Sequence, residues 1–380
     1  MKILIVGMVD SVHLYRWTKQ FENTNLEITI FPSRKFRKVD LGLLELRRNK
    51  HIRIILKTEI LPQSLNGYFD FFFHSVLGRY FDYFSRASKL KRIIEAGNFN
   101  HVHLVEMQHA GYLYLDANLN NAHRYKLTVT NWGSDIFFFQ NEKSHEIKIM
   151  ELLQIADQYS AECDRDYALA KNLGFNGVNL PVIPNAGGFS VEVISRQTLP
   201  VEQKKKIYIK GYGGKFGLGA VAIEVGIKLL NEFSWIELNI LSVSPELEKI
   251  AKELTIKYPN RVKYWSIKSK LKHDEVLHLL GESIIYIGAS KSDGISTTFL
   301  ESLVAGAYPI QTETSCANEW IKKGFHASVV PPNFECIYSA SKHALSNLNE
   351  TEKLVMMNKA LSEIHLSSTS ISQIALKFYD

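Results

Sequence analysis

Short aliphatic and β-branched runs alternate with longer stretches of helical periodicity along the whole chain. In the first half, strands are predicted at 3–6, 27–31, 101–105, 126–130, 158–161 and 178–183, with helical stretches between most of them. The second half repeats the theme, with strands at 207–209, 237–241, 262–265, 284–287, 308–311 and 328–330 and helices at 220–231, 245–258 and 272–281. Such alternation predicts parallel βαβ units. The pattern breaks around Pro181, Pro184, Gly187 and Gly188, and the polar stretch 195–206 reads as a linker between domains. Two open α/β sheets place their ligands in the loops after strands, in a cleft between carboxyl edges.

Length and composition fit this division. A chain of 380 residues predicts two globular units, and 46% hydrophobic residues give each a core, which excludes disorder and fibrous repeats for the chain as a whole. Three cysteines, at 163, 316 and 336, are too scattered for a disulfide framework or a CxxC metal site, so a reducing cytosol is the expected home. The apolar start, 1–9, is only one strand long before Asp10, and no run reaches the ~18 apolar residues of a membrane span. A soluble protein is expected, with peripheral contact at the inner face of a membrane left open.

The formal charge of +6 conceals a local excess. Between 34 and 57 stand nine basic residues (Arg34, Lys35, Arg37, Lys38, Arg47, Arg48, Lys50, Arg53 and Lys57) against Asp40 and Glu45. An aromatic stretch at 68–84 follows, then Arg86, Lys89, Lys91 and Arg92. Bases beside aromatics suit an anionic membrane surface. They equally suit a solvated basic face beside a buried aromatic helix. No nucleic-acid motif accompanies the charge.

The most informative segment is 291–319. A buried strand ends in a polar turn, and 296–305 can form a helix whose first turn is rich in Ser and Thr; the free amides and dipole at such a start make an anion site. Gly294 lets the backbone approach a phosphate, and Asp293 and Glu301, eight apart, straddle the helix start. An N-capping Asp and a helix-surface Glu would look the same.

With Ser290, Asp293, Gly294, Glu301, Ala305, Gly306, Pro309 and Ile310, the segment resembles the E-x7-E region of retaining glycosyltransferases of the GT-B fold, the family 4 class (glycosyl transferases group 1). Asp293 replaces the more usual Glu. Val262, Tyr264 and Ser266 resemble the V-x-F-x-G strand with Ser for Gly, and Ile183-Pro184-Asn185 resembles the I-P-N-G turn. The resemblance implies a GT-B fold, two Rossmann-like domains facing each other across a cleft: 1–198 for the acceptor, 199–365 for a nucleotide-sugar donor, and a tail, 366–380, crossing back to the first. It implies that Asp293 bonds the donor sugar's hydroxyls, that the amides of Gly294, Ile295, Ser296 and Thr297 hold the diphosphate, and that Glu301 binds the ribose. Lys210 and Lys215 match the paired basic residues of R-x4-K-G, Lys for Arg at the first losing the bidentate fork. Ser266 and Gly7 fall among the expected donor contacts. No divalent metal and no separate cofactor is then required. The Asp164, Asp166 pair reads as solvated in a helix.

In the first half, the G-x-G-x-x-G of dinucleotide binding is absent after the first strand, which weakens a dehydrogenase reading. Asp10, His13, Arg16 and Trp17 fit an acceptor-facing loop or a plain amphipathic helix. His101 and His103 form an H-x-H common in the same class, with no third ligand for a metal. Glu106 and His109, just past that strand, are placed for acceptor contact or proton transfer. The loop 130–136, TNWGSDI, resembles T-x-H-G-S-D-I with Trp132 in the histidine's place; either backbone groups or His109 then supply that function, and Trp132 offers a stacking face.

These readings converge on a retaining hexosyl- or N-acetylhexosaminyl-transferase that uses a UDP- or GDP-linked sugar. Its expected acceptor is a glycan or lipid-linked hydroxyl, as in lipopolysaccharide or other bacterial surface polysaccharide assembly. The alternatives are a nucleotide-sugar epimerase on the same fold and a non-catalytic nucleotide-sugar-binding protein.

Overall fold

The computed structural model describes residues 1–56, 63–119, 125–196, 198–269 and 271–380. Lys57 of the basic run and residue 197 lie outside the described residues. The chain divides into two compact units, Met1–Gly187 with Ile371–Asp380, and Gly188–Ser370.

In the first unit, the described strands are β1 (Lys2–Gly7), β2 (Glu27–Pro32), β3 (Ile52–Ile54), β4 (His101–Val105), β5 (Lys126–Thr130), β6 (Gln158–Ser160) and β7 (Val178–Asn179). They form one parallel sheet in the order β3-β2-β1-β4-β5-β6-β7. Its centre is buried from both faces, which is why 3–6 is an unbroken aliphatic run with every side chain inaccessible. β3 is missed by the sequence reading because it is three residues long with Arg53 in its middle. The expected strand at 178–183 stops at Asn179, since Pro181 has no N–H for the ladder. The following Asn185 is instead held by side-chain contacts, its Nδ2 donating to Asn131 O at 2.9 Å and its amide to Glu162 Oε1 at 2.9 Å.

Of the Asp164, Asp166 pair, Asp164 is exposed as expected and Asp166 is not. Asp166 is fully buried, not solvated, and accepts from Asn131 Nδ2 and Arg165 Nε at 2.8 Å each. His103 is buried with both ring nitrogens engaged, Nδ1 with Tyr379 Oη at 2.7 Å and Nε2 with Thr130 Oγ1 at 2.6 Å, so the H-x-H offers no metal a free nitrogen there. Tyr379 and Phe378 come from the last segment and pack among Trp17, Phe21 and His103 in this unit's core.

The aromatic stretch is not a buried helix. Tyr68, Tyr80, Phe81 and Tyr83 are each more than half exposed, and Phe71 and Phe72 stand at 44% and 40%. Basic side chains lie over two of these rings, Arg92 Cζ 4.0 Å from the Tyr83 centroid and Lys35 Nζ 5.8 Å from that of Phe71. Among the described residues no helix is long and apolar enough to cross a membrane.

The second unit carries β8 (Lys206–Lys210), β9 (Glu237–Val243), β10 (Val262–Ser266), β11 (Ser283–Gly288), β12 (Tyr308–Thr312) and β13 (Ser328–Val330), parallel in the order β10-β9-β8-β11-β12-β13. The expected linker contributes to this unit: Val201 is buried in its core, and the buried Lys204 ammonium donates to Gly306 O while burial pushes its pKa down to about 7. The helix Thr297–Ala305 is closed by Gly306 in the left-handed region at φ 81°, where a Cβ would be strained.

Replacing Tyr379 by Phe keeps the ring and leaves His103 Nδ1 without its buried partner. A loss of about 1–2 kcal/mol in first-unit stability is expected by denaturant titration. An unchanged midpoint would mean that the hydroxyl contributes nothing there.

Candidate functional site

In each sheet the strand order reverses at one place, between β1 and β4 in the first and between β8 and β11 in the second. The crevice beyond the carboxyl ends of strands at such a reversal is where open α/β sheets bind ligands.

At the β8/β11 reversal, Lys210 ends β8 and its Nζ donates to Ser296 Oγ at 3.2 Å. Ser296 is the N-cap of the helix Thr297–Ala305, and the first helical bond runs from Leu300 N to Ser296 O at 3.2 Å. The amides of Thr297, Thr298 and Phe299 therefore lie outside the helical ladder, at the positive end of its dipole. Opposite this start, the loop 211–219 folds onto the end of β11 through an antiparallel Gly217–Ser290 bridge, with Lys291 N to Phe216 O at 2.7 Å and Leu218 N to Ala289 O at 3.0 Å. Glycine is required for this: a Cβ on Gly219 would lie 2.6 Å from Gly211 C. Lys215 is exposed in the same loop, and Asp293 is half-buried three residues beyond the bridge.

The other expected donor residues are placed as follows. Gly294 is buried, its carbonyl accepting from Cys316 N at 2.7 Å. Ile295 sends its side chain into the apolar core, so only its backbone faces the turn. Glu301 is buried in the second helical turn and pairs with His273 Nε2 at 2.7 Å. Ser266 is not brought to this cluster: it ends the edge strand β10, two strands from β8, where its Oγ donates to Glu248. Three neighbours escape the sequence reading: His273, Tyr286 and Gln311. Tyr286 Oη lies 3.4 Å from both Ser296 Oγ and Gln311 Oε1 beneath the helix start, and burial holds its phenol well above the ordinary range. The one available signal was a tyrosine inside the otherwise aliphatic run 284–287.

At the β1/β4 reversal the chemistry is acidic. Gly7 ends β1, where a Cβ would meet Leu14 Cδ1 at 3.0 Å, so here its smallness serves packing. Beyond it Asp10 takes Arg34 Nη2 at 3.1 Å, and Arg34 Nη1 reaches His109 Nε2 at 3.4 Å. A guanidinium only donates, so Nε2 is the unprotonated nitrogen. Burial, and then Arg34, lower the pKa of His109. Glu106 follows β4 at φ 83°, a strained conformation for a non-glycine residue. Its carboxyl turns inward onto the amides of His109 and Ala110 rather than outward. Asp135 accepts from Met107 N and Trp132 N at 2.9 Å each. Burial, reinforced by Asp135, pushes Glu106 up to about 8, and burial pushes Asp135 up to about 7. Trp132 is half-buried, edge-on to His13 at 5.8 Å between centroids.

No family model matches the chain, and no curated protein matches it. Solved structures do. Sucrose-phosphate synthase from Thermosynechococcus elongatus superposes with a TM-score of 0.72 at 12% identity, covering 100% of this chain and 98% of that one. HepE from Anabaena, in complex with UDP and glucose, gives 0.71 at 14% identity over 100% and 99%. A putative UDP-N-acetylglucosamine 2-epimerase from Listeria monocytogenes gives 0.62 at 11% over 98% and 94%. The fold is GT-B. At these identities the likeness extends to the fold alone.

The Glu106 setting has a pH consequence of definite sign. Unfolded Glu ionises near 4.5, whereas the folded residue keeps its proton to about 8. Between those values the unfolded chain binds fewer protons, so this group's contribution to stability falls as pH rises. Glu106→Gln carries no such proton, so its stability relative to the parent should improve between pH 5 and pH 8 by about 1 kcal/mol or more. Equal offsets at both pH values, by thermal or urea unfolding, would refute the assignment.

Proposed function

We propose that this protein transfers a sugar from a nucleotide-diphosphate donor to a hydroxyl acceptor with retention of anomeric configuration. The observation that carries the reading is the Lys210 ammonium aimed at the N-cap of Thr297–Ala305, with the Lys215 loop bridged onto the same edge. As the bond between the anomeric carbon and the diphosphate oxygen breaks, its electron pair moves to the diphosphate. Fixed ammonium and amide donors stabilise that charge more in the transition state than before it. The acceptor oxygen bonds the same face of the sugar, and its proton leaves to the departing diphosphate. In this scheme Asp293 holds the sugar hydroxyls, the amides of Gly294 to Thr297 hold the diphosphate, and Glu301 binds the ribose. The cationic and amide groups supply the charge stabilisation for which other transferases use a divalent metal.

The acceptor we favour is a lipid-linked or surface-polysaccharide glycan, met at an anionic membrane from the cytoplasmic side. This rests on the exposed rings at 68–83 with Lys35 and Arg92 beside them. The likeness to a putative 2-epimerase supports a second reading, in which donor is converted without any acceptor. Product analysis with donor alone separates the two. A binding protein without turnover would take up nucleotide and convert nothing.

Lys210→Ala and Asp293→Ala should each lower turnover by roughly 10²- to 10³-fold with the fold intact by circular dichroism. Wild-type turnover in both variants removes the donor-site assignment. Flotation with anionic liposomes should recover the parent protein, and replacing Tyr68, Phe71, Tyr80 and Phe81 by Ser should abolish recovery. Equal recovery of both, or no recovery of the parent, ends the membrane reading.

A further inference from the structure

Tyr286 sets a hydroxyl inside the buried aliphatic run of β11. Side chains two apart share a face of a strand, so Gly288 stands on the same face, at the carboxyl end. A Cβ on Gly288 would collide with both Tyr286 Oη and Gln311 Oε1. The missing side chain therefore opens the space through which the phenol reaches the start of Thr297–Ala305. Tyr208, in register with Tyr286 on β8, packs edge-on against the ring with centroids 5.9 Å apart.

At that start Lys210, Ser296, Tyr286 and Gln311 follow one another. Lys210 Nζ donates to Ser296 Oγ at 3.2 Å, and Tyr286 Oη lies 3.4 Å from Ser296 Oγ and 3.4 Å from Gln311 Oε1. The two ends fix the direction of the protons. An ammonium only donates and an amide oxygen only accepts, so Ser296 donates to Tyr286 and Tyr286 donates to Gln311. Burial raises the phenol's pKa, so the hydroxyl keeps its proton through the neutral range. Ser296 holds the N-cap position, where a serine hydroxyl ordinarily accepts from the second or third helical amide. Here it makes no such bond.

We propose that Tyr286 is a positioning residue for the diphosphate: it draws the Ser296 hydroxyl away from its own helix, so that the amides at the start of Thr297–Ala305 are kept for the anion. This rests on the nucleotide-sugar reading and adds to it a residue that acts from beneath the site, through Ser296. With phenylalanine at 286, the serine hydroxyl loses its acceptor and gains by rotating onto the amide of Thr298 or Phe299. A ligand phosphate must then displace that self-made cap before it can bind, and Lys210 loses the oxygen that aims it.

The test is calorimetric, on the full-length protein, with UDP, GDP and inorganic pyrophosphate as probes and a double-mutant comparison between positions 286 and 296. Tyr286→Phe keeps the ring and should weaken binding of UDP or GDP, and of pyrophosphate, by about fivefold or more. In the Ser296→Ala background, where no hydroxyl can turn onto the amides, the same change should leave every affinity as it was. A tyrosine that only packs would show equal losses in both backgrounds. Should Tyr286→Phe fail to fold by circular dichroism, Gln311→Leu, which removes the acceptor at the far end, carries the same comparison. Unchanged affinity in Tyr286→Phe, or a loss that persists in Ser296→Ala, overturns this proposal and leaves the nucleotide reading standing. A parent that binds neither UDP nor GDP overturns both.

Discussion

Parallel pairing governs this molecule. Strands that all run the same way cannot be joined by tight turns, so each must be followed by a crossover that returns the chain to the starting edge. All carboxyl ends then gather on one edge of each sheet, and where the order reverses, at β1/β4 and β8/β11, neighbouring crossovers leave in opposite directions. Lys210, the Ser296 helix start and the 211–219 loop are neighbours only because β8 and β11 are. The same rule in the first unit gathers Gly7, Asp10, Arg34, Glu106 and His109. Chemistry at both edges is a by-product of how the sheets must be connected.

The two edges are electrostatically opposite. The second unit's edge offers an ammonium, backbone amides and a helix dipole, with its acid, Glu301, already paired by a histidine. The first unit's edge concentrates carboxyls, two of which are pushed up by burial, Glu106 with Asp135 adding to it and Asp135 with Asp166 adding to it, while Arg34 is taken up by Asp10. An anionic group is therefore favoured at one edge, and proton-exchanging groups are concentrated at the other.

How much of this could be read from residues alone follows from contact range. β4, β5 and β13 were legible to the residue, because an apolar run with polar punctuation carries its own boundaries. The start of Thr297–Ala305 was legible because its Ser- and Thr-rich first turn is a local signal, and Lys210 only through its match to the R-x4-K-G pattern of the resembled family. His273 is 28 residues from Glu301 and Tyr286 ten from Ser296, so neither contact leaves a mark in any local pattern. Asp166 misled for the same reason: its partner Asn131 lies 35 residues away, and an acid in a helix reads as solvated until the partner is known. The exposed aromatics at 68–83 misled differently, since composition tells that rings are present and not which side of them is covered.

The placement of Phe378 and Tyr379 has a bearing on how the chain comes to be folded. They fill space between Trp17, Phe21 and His103, yet every residue from 188 to 370 is synthesised before them. A nascent chain can therefore finish its second globule while the first still has an aromatic gap and an unsatisfied imidazole. The part of the protein made earliest is sealed only once Phe378 and Tyr379 have left the ribosome.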